Sequence, residues 1–351
     1  MSPVRLVRNQ VHQGDASVTL ATLPSDYVDC IVTSPPYFRL RDYGMSDQLG
    51  LEAHVDQWVA ELQSVCQEIA RVLVPTGTLW LNLGDAYSTH PREGAGRKSL
   101  LLGPERLALA LLGDGWVIRN KIVWAKTNTI PSSVRDRLST AHEFVYVLAR
   151  QPRYFFDLDA IRQPHTSKPP KRRRPRPTTT GPPKRRDQGR PVWLGPNSDG
   201  DGGLAAMQQA GRVGHPLGKN PGDVWAMSVS RYRGAHFATY PEHLVKRMVR
   251  AGCPERRCSA CQMPWTRPLR RLGTTAIRLS LQPGCQCKAP SEPGLVLDPF
   301  LGSGTTAVVA ERLGRDWLGI ELNSEFVALA EQRIADGRGN APQQPKRKEV
   351  T

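Results

Sequence analysis

A short apolar run near the start of the chain ends abruptly at two consecutive prolines. Residues Tyr27–Val32 are mostly apolar, which predicts a buried strand. The following Thr33-Ser34-Pro35-Pro36-Tyr37 can neither extend a strand nor begin a helix in the usual way, because proline fixes φ and lacks a backbone N–H. We therefore predict a loop at the carboxyl end of a buried strand, where open α/β sheets bind their ligands.

Strand and helix patterns alternate through most of the chain. The apolar residues between Val55 and Leu73 follow helical spacing, and Thr78–Leu83 has the pattern of the next strand. Further helices are predicted at 100–112, 241–251, 305–313 and 324–335, and further strands at 116–124, 143–149, 296–297 and 317–321. This alternation is typical of an α/β fold with a doubly wound, mostly parallel sheet.

A second loop with the character of a binding site follows the strand pattern at Leu295–Asp298. Its glycines, Gly302 and Gly304, allow a ligand to approach the backbone closely, and the helix that follows offers unpaired N–H groups. The next strand pattern ends at Glu321, whose carboxylate can accept hydrogen bonds from both hydroxyls of a ribose. This is the layout of a nucleoside-binding site. The sequence has no G-x-G-x-x-G and no Walker lysine, which disfavours a dinucleotide or ATP.

Three segments resemble motifs of the DNA amino-methyltransferases, which methylate an exocyclic base amine with S-adenosylmethionine. Asp298 to Thr306 is similar to their cofactor loop, Thr33 to Tyr37 to their catalytic motif, and His236 to Leu244 to their third cofactor motif. The order, with the catalytic motif first and the cofactor loop last, resembles the β class. The resemblance covers about residues 10–165 and 223–335. It implies a Rossmann-like methyltransferase fold that is circularly rearranged.

The resemblance also implies a set of cofactor-binding residues. They are Asp15, Thr33, His236, Tyr240, Pro241, Asp298, Pro299, Phe300, Gly302, Ser303, Gly304, Thr305, Glu321 and Asn323. Asp15 either holds the methionine amino group or caps a helix, and Asp298 either contacts the cofactor or closes a turn. For Glu321, the ribose-binding role is expected.

The predicted catalytic residues are Ser34, Pro35, Pro36 and Tyr37. An exocyclic amine is a poor nucleophile because its lone pair is delocalised into the ring. Acceptors at the Ser34 hydroxyl and the Pro35 carbonyl can pull the nitrogen toward tetrahedral geometry, and a rigid loop keeps them in place. Tyr37 can stack on a base that has been flipped out of the duplex. No Pro-Cys pair occurs, which argues against carbon-5 cytosine chemistry.

The first residue of the catalytic motif bears on the target base. In the family that this chain resembles, Ser-Pro-Pro-Tyr usually accompanies cytosine N4, whereas Asp or Asn in place of Ser34 usually accompanies adenine N6. We therefore predict a site-specific cytosine-N4 DNA methyltransferase. The alternatives are an adenine-N6 enzyme, a non-catalytic DNA-binding module, and an enzyme that methylates RNA or a protein glutamine.

Five of the seven cysteines lie close together in sequence. Cys258-x2-Cys261 is followed by Cys285-x-Cys287, and two such pairs can supply four thiolates to one tetrahedral metal. Since the chain starts without an export signal, metal binding is expected before disulfides. We predict a structural zinc ion on these four residues, with Cys253 as a substitute ligand and a set of reduced structural thiols as the alternative.

The net charge of +16 favours a polyanionic partner, which we predict to be double-stranded DNA. Between His165 and Arg190, ten basic residues and one aspartate give +9, while the other 38 basic and 31 acidic residues give +7. This segment is predicted to bind phosphates without reading sequence, or to be a solvated linker. Further phosphate contacts are predicted within the cysteine-rich segment, from Trp265, Arg267, Arg270 and Arg271.

These changes in composition suggest domain boundaries. We predict a catalytic half at 1–160, a basic and partly disordered target-recognition insertion at 161–235, a cofactor-binding half at 236–335 interrupted by a cysteine-rich insertion at 253–290, and a disordered tail at 336–351. No run of 18 apolar residues occurs, so no membrane span is expected. We expect a cytoplasmic protein of bacterial or phage origin, with a cognate restriction endonuclease as a separately acting partner.

Overall fold

A computed structural model of the chain describes residues 7–45, 48–129, 131–165, 215–229, 240–272 and 275–339. The chain divides into two compact units. Unit 1 comprises the described parts of residues 1–161, 221–268 and 280–351, and unit 2 those of residues 162–220 and 269–279. Of the predicted basic insertion, residues 166–214 lie outside the described residues, and so do 230–239, which include His236.

Unit 1 is built on an eight-stranded sheet. Numbered along the chain, its strands lie in the spatial order β1 (Val11–Gln13), β12 (Asp316–Glu321), β11 (Leu295–Asp298), β2 (Val28–Thr33), β3 (Leu73–Leu83), β5 (His142–Ala149), β4 (Val117–Lys126) and β6 (Val224–Met227). Strand β5 is antiparallel to both of its neighbours. The other neighbouring pairs in this described sheet are parallel, so the mostly parallel sheet that was predicted is confirmed.

Helices cover both faces of the sheet. They are α1 (Ala16–Thr22), α2 (Val55–Val72), α3 (Gly103–Gly113), α4 (Glu242–Gly252), α5 (Thr305–Arg312) and α6 (Ser324–Gly339). Alternate side chains of a strand point to opposite faces, and β2 shows the result. Ile31 is buried in one apolar cluster with residues of α1, α2 and α3, whereas Cys30 and Val32 are buried in a second with residues of α4, α5 and α6.

Among the element boundaries that differ from the sequence patterns, the start of β3 and the end of α6 differ most. Strand β3 begins at Leu73, directly after α2, whereas the apolar pattern begins only at Thr78. Residues 75–77, a Pro, a Thr and a Gly, interrupt the pattern, although the backbone around them already pairs with β2. At the other end, α6 continues to Gly339, so residues 336–339 are helical rather than part of the disordered tail that was predicted to begin at 336.

Two short antiparallel pairs lie outside the large sheet. In unit 1, β7 (Arg256–Cys258), near the start of the cysteine-rich insertion, pairs with β10 (Ser291–Pro293), just after its end. In unit 2, β8 (Leu269–Leu272) and β9 (Thr275–Arg278) form a hairpin. No helix in the described parts of the chain combines the length and the apolarity that a membrane span requires.

Candidate active site

A cavity of about 550 Å³ lies in unit 1 at the carboxyl end of the parallel strands. The predicted site residues that line it are Asp15, Ser34, Pro35, Pro36, Tyr37, Tyr240, Pro299, Phe300, Gly302, Ser303, Thr305, Glu321 and Asn323. Its volume is typical of small-molecule sites, which span about 300–1,000 Å³. The loops after β2 and β11 meet here because these strands are neighbours in the sheet, although their ends at Thr33 and Asp298 are 265 residues apart in sequence.

Asp298, at the end of β11, does not line the cavity; it is fully buried beneath it. Its carboxylate accepts hydrogen bonds from the hydroxyls of Thr33 at 2.7 Å, Tyr240 at 2.8 Å and Thr306 at 2.6 Å, and from the backbone N–H of Phe300 at 3.1 Å. Burial raises the pKa of this carboxyl, against the opposing effect of these hydrogen bonds. Asp298 thus joins the end of β2, the loop after β11 and Tyr240, which precedes α4.

The cofactor loop has a backbone shape that glycine favours. Gly302 and Gly304 have φ values of 53° and 80°, in the left-handed region that side chains other than glycine seldom adopt. A Cβ on Gly304 would also lie 3.1 Å from the Cβ of Ala330 in α6. Gly304 itself is the N-cap of α5, and no side chain caps the helix there. The N-terminus of α5 therefore lies at the cavity through Thr305, which is the placement of anion- and nucleotide-binding helices.

Glu321, at the end of β12, is 9% exposed and lines the cavity. Its carboxylate accepts the backbone N–H of Gly302 at 2.7 Å and that of Asn323 at 2.9 Å. Burial raises the pKa of this carboxyl. A carboxylate has about four acceptor positions, so it can still accept hydrogen bonds from a hydroxylated ligand. Beside it, Tyr43 and Phe326 meet edge to face with ring centroids 6.0 Å apart, and both rings line the cavity.

The remaining predicted cofactor residues take different positions. Asp15 caps α1, since its Oδ1 accepts the backbone N–H of Val18 at 2.9 Å, and it also lines the cavity. The capping and ligand-facing alternatives therefore coexist at this residue. Pro241 is the N-cap residue of α4 and, like Thr33 and Gly304, is not part of the cavity wall.

Helix α2 holds the loop at residues 34–37, which was predicted to be catalytic. The indole N–H of Trp58, in α2, donates to the carbonyl oxygen of Pro36 at 3.0 Å. At the other side of the loop, the Tyr37 ring lies directly over Gly84, where an added Cβ would be 2.7 Å from the ring. Burial and the charge of Glu143 raise the pKa of Tyr37 well above its usual value, so its hydroxyl stays protonated.

Among the cavity-lining polar residues that sequence reasoning missed, Asn82, Lys126 and Glu143 form one group next to Tyr37. The Tyr37 hydroxyl donates to Glu143 Oε2 at 2.8 Å, and Asn82 Nδ2 donates to the same oxygen at 2.8 Å. Lys126 forms an ion pair with the other oxygen of Glu143. The sequence signal that could have found Glu143 is its position as a lone carboxylate at the start of an apolar strand pattern.

The four predicted zinc ligands come together at the end of β7. The Sγ atoms of Cys258, Cys261, Cys285 and Cys287 all lie within 4.8 Å of one another. The backbone N–H groups of Ala260 and Cys261 point at Cys258 Sγ and lower the pKa of that thiol to about 7. Cys253 is fully buried in the apolar core and stands apart from this group, so the structure does not support it as a substitute ligand.

The predicted phosphate-binding residues are only partly described. Arg267 forms a two-pronged ion pair with Glu255, at 2.8 and 2.7 Å. Arg270 and Arg271 are exposed on β8, in unit 2. The dense basic runs at 171–176 and 184–190 lie outside the described residues.

Residues 28–332 match the family model described as DNA methylase, which covers N6 and N4 methyltransferases. The chain belongs to the β-class N4/N6 DNA amino-methyltransferase family. This methyltransferase is 32% identical to the Type II methyltransferase M.XycI of Xanthomonas campestris pv. cyanopsidis, with 96% of this chain and 91% of that protein covered. It is also 32% identical to M.Cfr9I of Citrobacter freundii, with 95% and 89% covered.

Solved structures share the fold of this methyltransferase. The PvuII DNA methyltransferase, described as cytosine-N4-specific, matches with a TM-score of 0.54 and 18% identity over 94% of this chain and 90% of that one. The Thermus thermophilus protein TTHA0409, complexed with S-adenosyl-L-methionine, matches with a TM-score of 0.50 and 21% identity over 93% and 95%. The methyltransferase therefore has the α/β fold of DNA methyltransferases.

Proposed function

We propose that this methyltransferase transfers a methyl group from S-adenosylmethionine to the N4 amino group of cytosine within a specific sequence of duplex DNA. The observation that carries the proposal is that the catalytic loop and the cofactor loop border one cavity. Family membership accounts for DNA amino-group methylation in general. Serine at position 34 favours cytosine over the adenine-N6 alternative.

The residues of the cavity fit the cofactor. The positive φ values of Gly302 and Gly304 shape a loop that a ligand can approach closely, and Glu321 has acceptor positions for the ribose hydroxyls. Tyr43 and Phe326 offer an aromatic flank to the adenine ring, and Asp15 a carboxylate to the methionine amino group. When bound, S-adenosylmethionine supplies an electrophilic methyl group.

The chain's own residues activate and position the target amine. A base inside a duplex cannot reach the cavity, so it must be flipped out. Ser34 Oγ and the Pro35 carbonyl then accept its N–H groups, which turns the nitrogen lone pair toward the methyl group. The bond from Trp58 to Pro36 keeps the loop in shape before the substrate arrives. Such preorganised acceptors need little rearrangement during the reaction.

The strand order supports a circular rearrangement of the fold. Strands β11 and β12 come from the C-terminal part of the chain, yet they lie between β1 and β2 from its N-terminal part. Strands β11 and β12, which carry the predicted cofactor residues, are thus interior strands of the sheet and late in sequence. We infer that the catalytic half precedes the cofactor-binding half in this chain.

The partner of the methyltransferase is inferred to be double-stranded DNA in the bacterial cytoplasm. Its relatives M.XycI and M.Cfr9I are Type II methyltransferases, which supports a role in a restriction-modification system. We propose that a cognate endonuclease acts separately on the same sequence.

Labelling identifies the product. The protein is incubated with methyl-labelled S-adenosylmethionine and duplex DNA of mixed sequence, and the DNA is then digested to nucleosides. We expect the label in N4-methylcytosine. Label in N6-methyladenine alone would contradict the choice of base, and tight DNA binding without any label would favour a non-catalytic module.

We also propose a structural zinc ion on Cys258, Cys261, Cys285 and Cys287. Four Zn–S bonds of about 2.3 Å in a tetrahedron place the sulfurs about 3.8 Å apart, and the four Sγ atoms already lie within 4.8 Å of one another. Since all four ligands come from the protein, no position remains for a substrate. The ion would crosslink the two cysteine pairs of the segment between α4 and β11 and so stabilise its fold.

Metal analysis tests this site. Protein purified without chelators is expected to contain about one zinc ion per chain. Replacing Cys285 and Cys287 together with serine should remove the metal and lower the melting temperature. Cys66→Ala, a change at a buried cysteine of α2, should leave the metal content unchanged. Wild-type protein with well under half an equivalent of zinc would contradict the proposal.

A further inference from the structure

Glu143 lies near the first residue of β5. Because β5 is antiparallel to its neighbours, its start lies on the same side of the sheet as the carboxyl ends of the parallel strands. The side chain of Glu143 therefore reaches the cavity beside Asn82 and Lys126. The side chains of Lys126 and Glu143 are 22% and 16% exposed. This carboxylate is therefore a mostly buried charge in the cavity wall, and the ammonium of Lys126 compensates it.

The hydrogen bonds around Glu143 fix the direction of two hydroxyl groups. An ionised carboxylate only accepts, so the O–H of Tyr37, 2.8 Å from Glu143 Oε2, must point at Glu143. The Tyr37 oxygen is then an acceptor, and Ser34 Oγ lies 3.1 Å from it. The hydrogen of Ser34 therefore points at Tyr37. This leaves two acceptor positions on Ser34 Oγ. Asn82 Nδ2, 3.3 Å away, donates to one, and the other can accept an incoming amine.

Asn82 reinforces the same direction. Its Nδ2 lies 2.7 Å from the Tyr37 hydroxyl and 2.8 Å from Glu143 Oε2, and it can only donate. Its Oδ1 is buried and has no hydrogen-bond partner among the described residues. A buried carbonyl without a partner is unfavourable. The attraction of the Glu143 carboxylate for the amide N–H thus outweighs that loss and orients the amide.

We propose that Glu143, held by Lys126, is a positioning residue that keeps Ser34 in its acceptor state and is the final acceptor of the proton that the amine releases. This rests on the proposed methylation of a base amine. As the N–C bond forms, the C–S bond breaks and its electron pair stays on sulfur. The nitrogen is then cationic and must lose one proton.

The hydroxyl chain gives that proton a route. Ser34 Oγ takes the proton from nitrogen as its own passes to Tyr37, and the proton of Tyr37 passes to Glu143. Both hydroxyls end as they began, and Glu143 ends as a neutral acid that returns its proton to water. The raised pKa of Tyr37 means that the phenol enters this exchange in its neutral form.

The variant Glu143→Gln keeps the shape of the side chain and removes its capacity to take a proton. We expect the single-turnover rate of methyl transfer to fall by about 10²-fold or more, the usual effect of losing general acid–base catalysis. The dissociation constant for S-adenosylmethionine should stay within about twofold of the wild type, and Glu143→Asp should recover part of the rate. A purely structural role would not produce this separation of rate from binding.

A matched control comes from a second ion pair, whose lysine lies on β4 as Lys126 does. Lys121 of β4 pairs with Glu105 of α3, and neither residue lines the cavity. Glu105→Gln makes the same chemical change, and we expect its methylation rate to stay close to that of the wild type. An equal loss in both variants would overturn the proposal, because it would show a general effect on the fold.

A double variant tests the order of the chain. Tyr37→Phe breaks the link between Ser34 and Glu143, so adding Glu143→Gln to it should cause little further loss of rate. Multiplicative losses would show independent roles and overturn the proposal, as would a Glu143→Gln variant with wild-type rate. If the wild type methylates adenine instead, the choice of base fails while the role of Glu143 stands. If it methylates no DNA, the proposed function itself fails.

Discussion

Replacing Ser34 with alanine is expected to lower the rate of methyl transfer by about 10²–10³-fold, the usual effect of removing one preorganised polar group from a reacting centre. The hydroxyl lines the cavity and hydrogen-bonds only within the catalytic network among the described residues, at 3.1 Å to Tyr37 and 3.3 Å to Asn82. The loss should appear in kcat, because the proposed role of Ser34 is to act on the amine as it reacts, and the hydrogen bonds of its hydroxyl go to Tyr37 and Asn82.

Single-turnover kinetics with a saturating cofactor and a defined duplex measure this effect. Ser64→Ala is the control, since Ser64 is exposed on α2. The control should keep the wild-type rate, and both variants should bind S-adenosylmethionine normally. A Ser34→Ala protein with an undiminished rate would remove Ser34 from the mechanism and leave the Pro35 carbonyl as the acceptor to test.

The sequence predicted what depends on local pattern. The apolar spacing of α2 and the proline stop after β2 lie within short windows, and both elements form where they were expected. The Ser34 loop and the Gly302 loop were each predicted as a binding loop that follows a strand. The structure adds the physical link, which is the buried Asp298 carboxylate bound to Thr33.

Residues that depend on strand order escaped prediction. A search at the ends of parallel strands finds Asn82 but not Glu143, which lies near the start of β5 and reaches the cavity because that strand is antiparallel. Tyr37 was predicted to stack on a base, and that role stays a prediction. The hydrogen bond from the Tyr37 hydroxyl to Glu143 could not be inferred from sequence, because the two residues are 106 positions apart and the pairing of the strands brings them together.

Replacing Arg257 with methionine is expected to lower the free energy of unfolding by about 3–5 kcal/mol, because it leaves a buried carboxylate without its cation. Arg257 is 1% exposed and Asp29, in the catalytic strand β2, is 2% exposed. Arg257 donates to Asp29 at 2.9 Å and to Glu292 at 2.8 Å. It thereby joins the insertion that carries the cysteines to the strand that ends at the catalytic loop.

Denaturant unfolding of three variants checks this expectation. Adding Asp29→Asn to Arg257→Met should restore much of the lost stability, because the unpaired charge is then gone. Arg267→Met is the matched control in the same insertion, since its pair with Glu255 is about one-third exposed on both sides. Exposed pairs contribute about 0–1 kcal/mol, so this variant should unfold close to the wild type. Equal losses for Arg257→Met and Arg267→Met would contradict a buried charge as the cause.

The pH dependence of the Arg257→Met effect follows from the state of Asp29. Burial raises the pKa of Asp29 to about 6 despite the nearby guanidinium. The folded chain therefore binds this proton more tightly than the unfolded chain, whose aspartate has a pKa of about 4. The stabilisation that comes from the tighter binding of this proton is fully present below about pH 4, and it is lost as the pH rises through about 6. Removing the guanidinium destabilises the charged form of Asp29 more than the neutral form, so the destabilisation should be larger at pH 8 than at pH 5. A loss that is the same at both pH values would show that Arg257 acts through packing and its other hydrogen bonds.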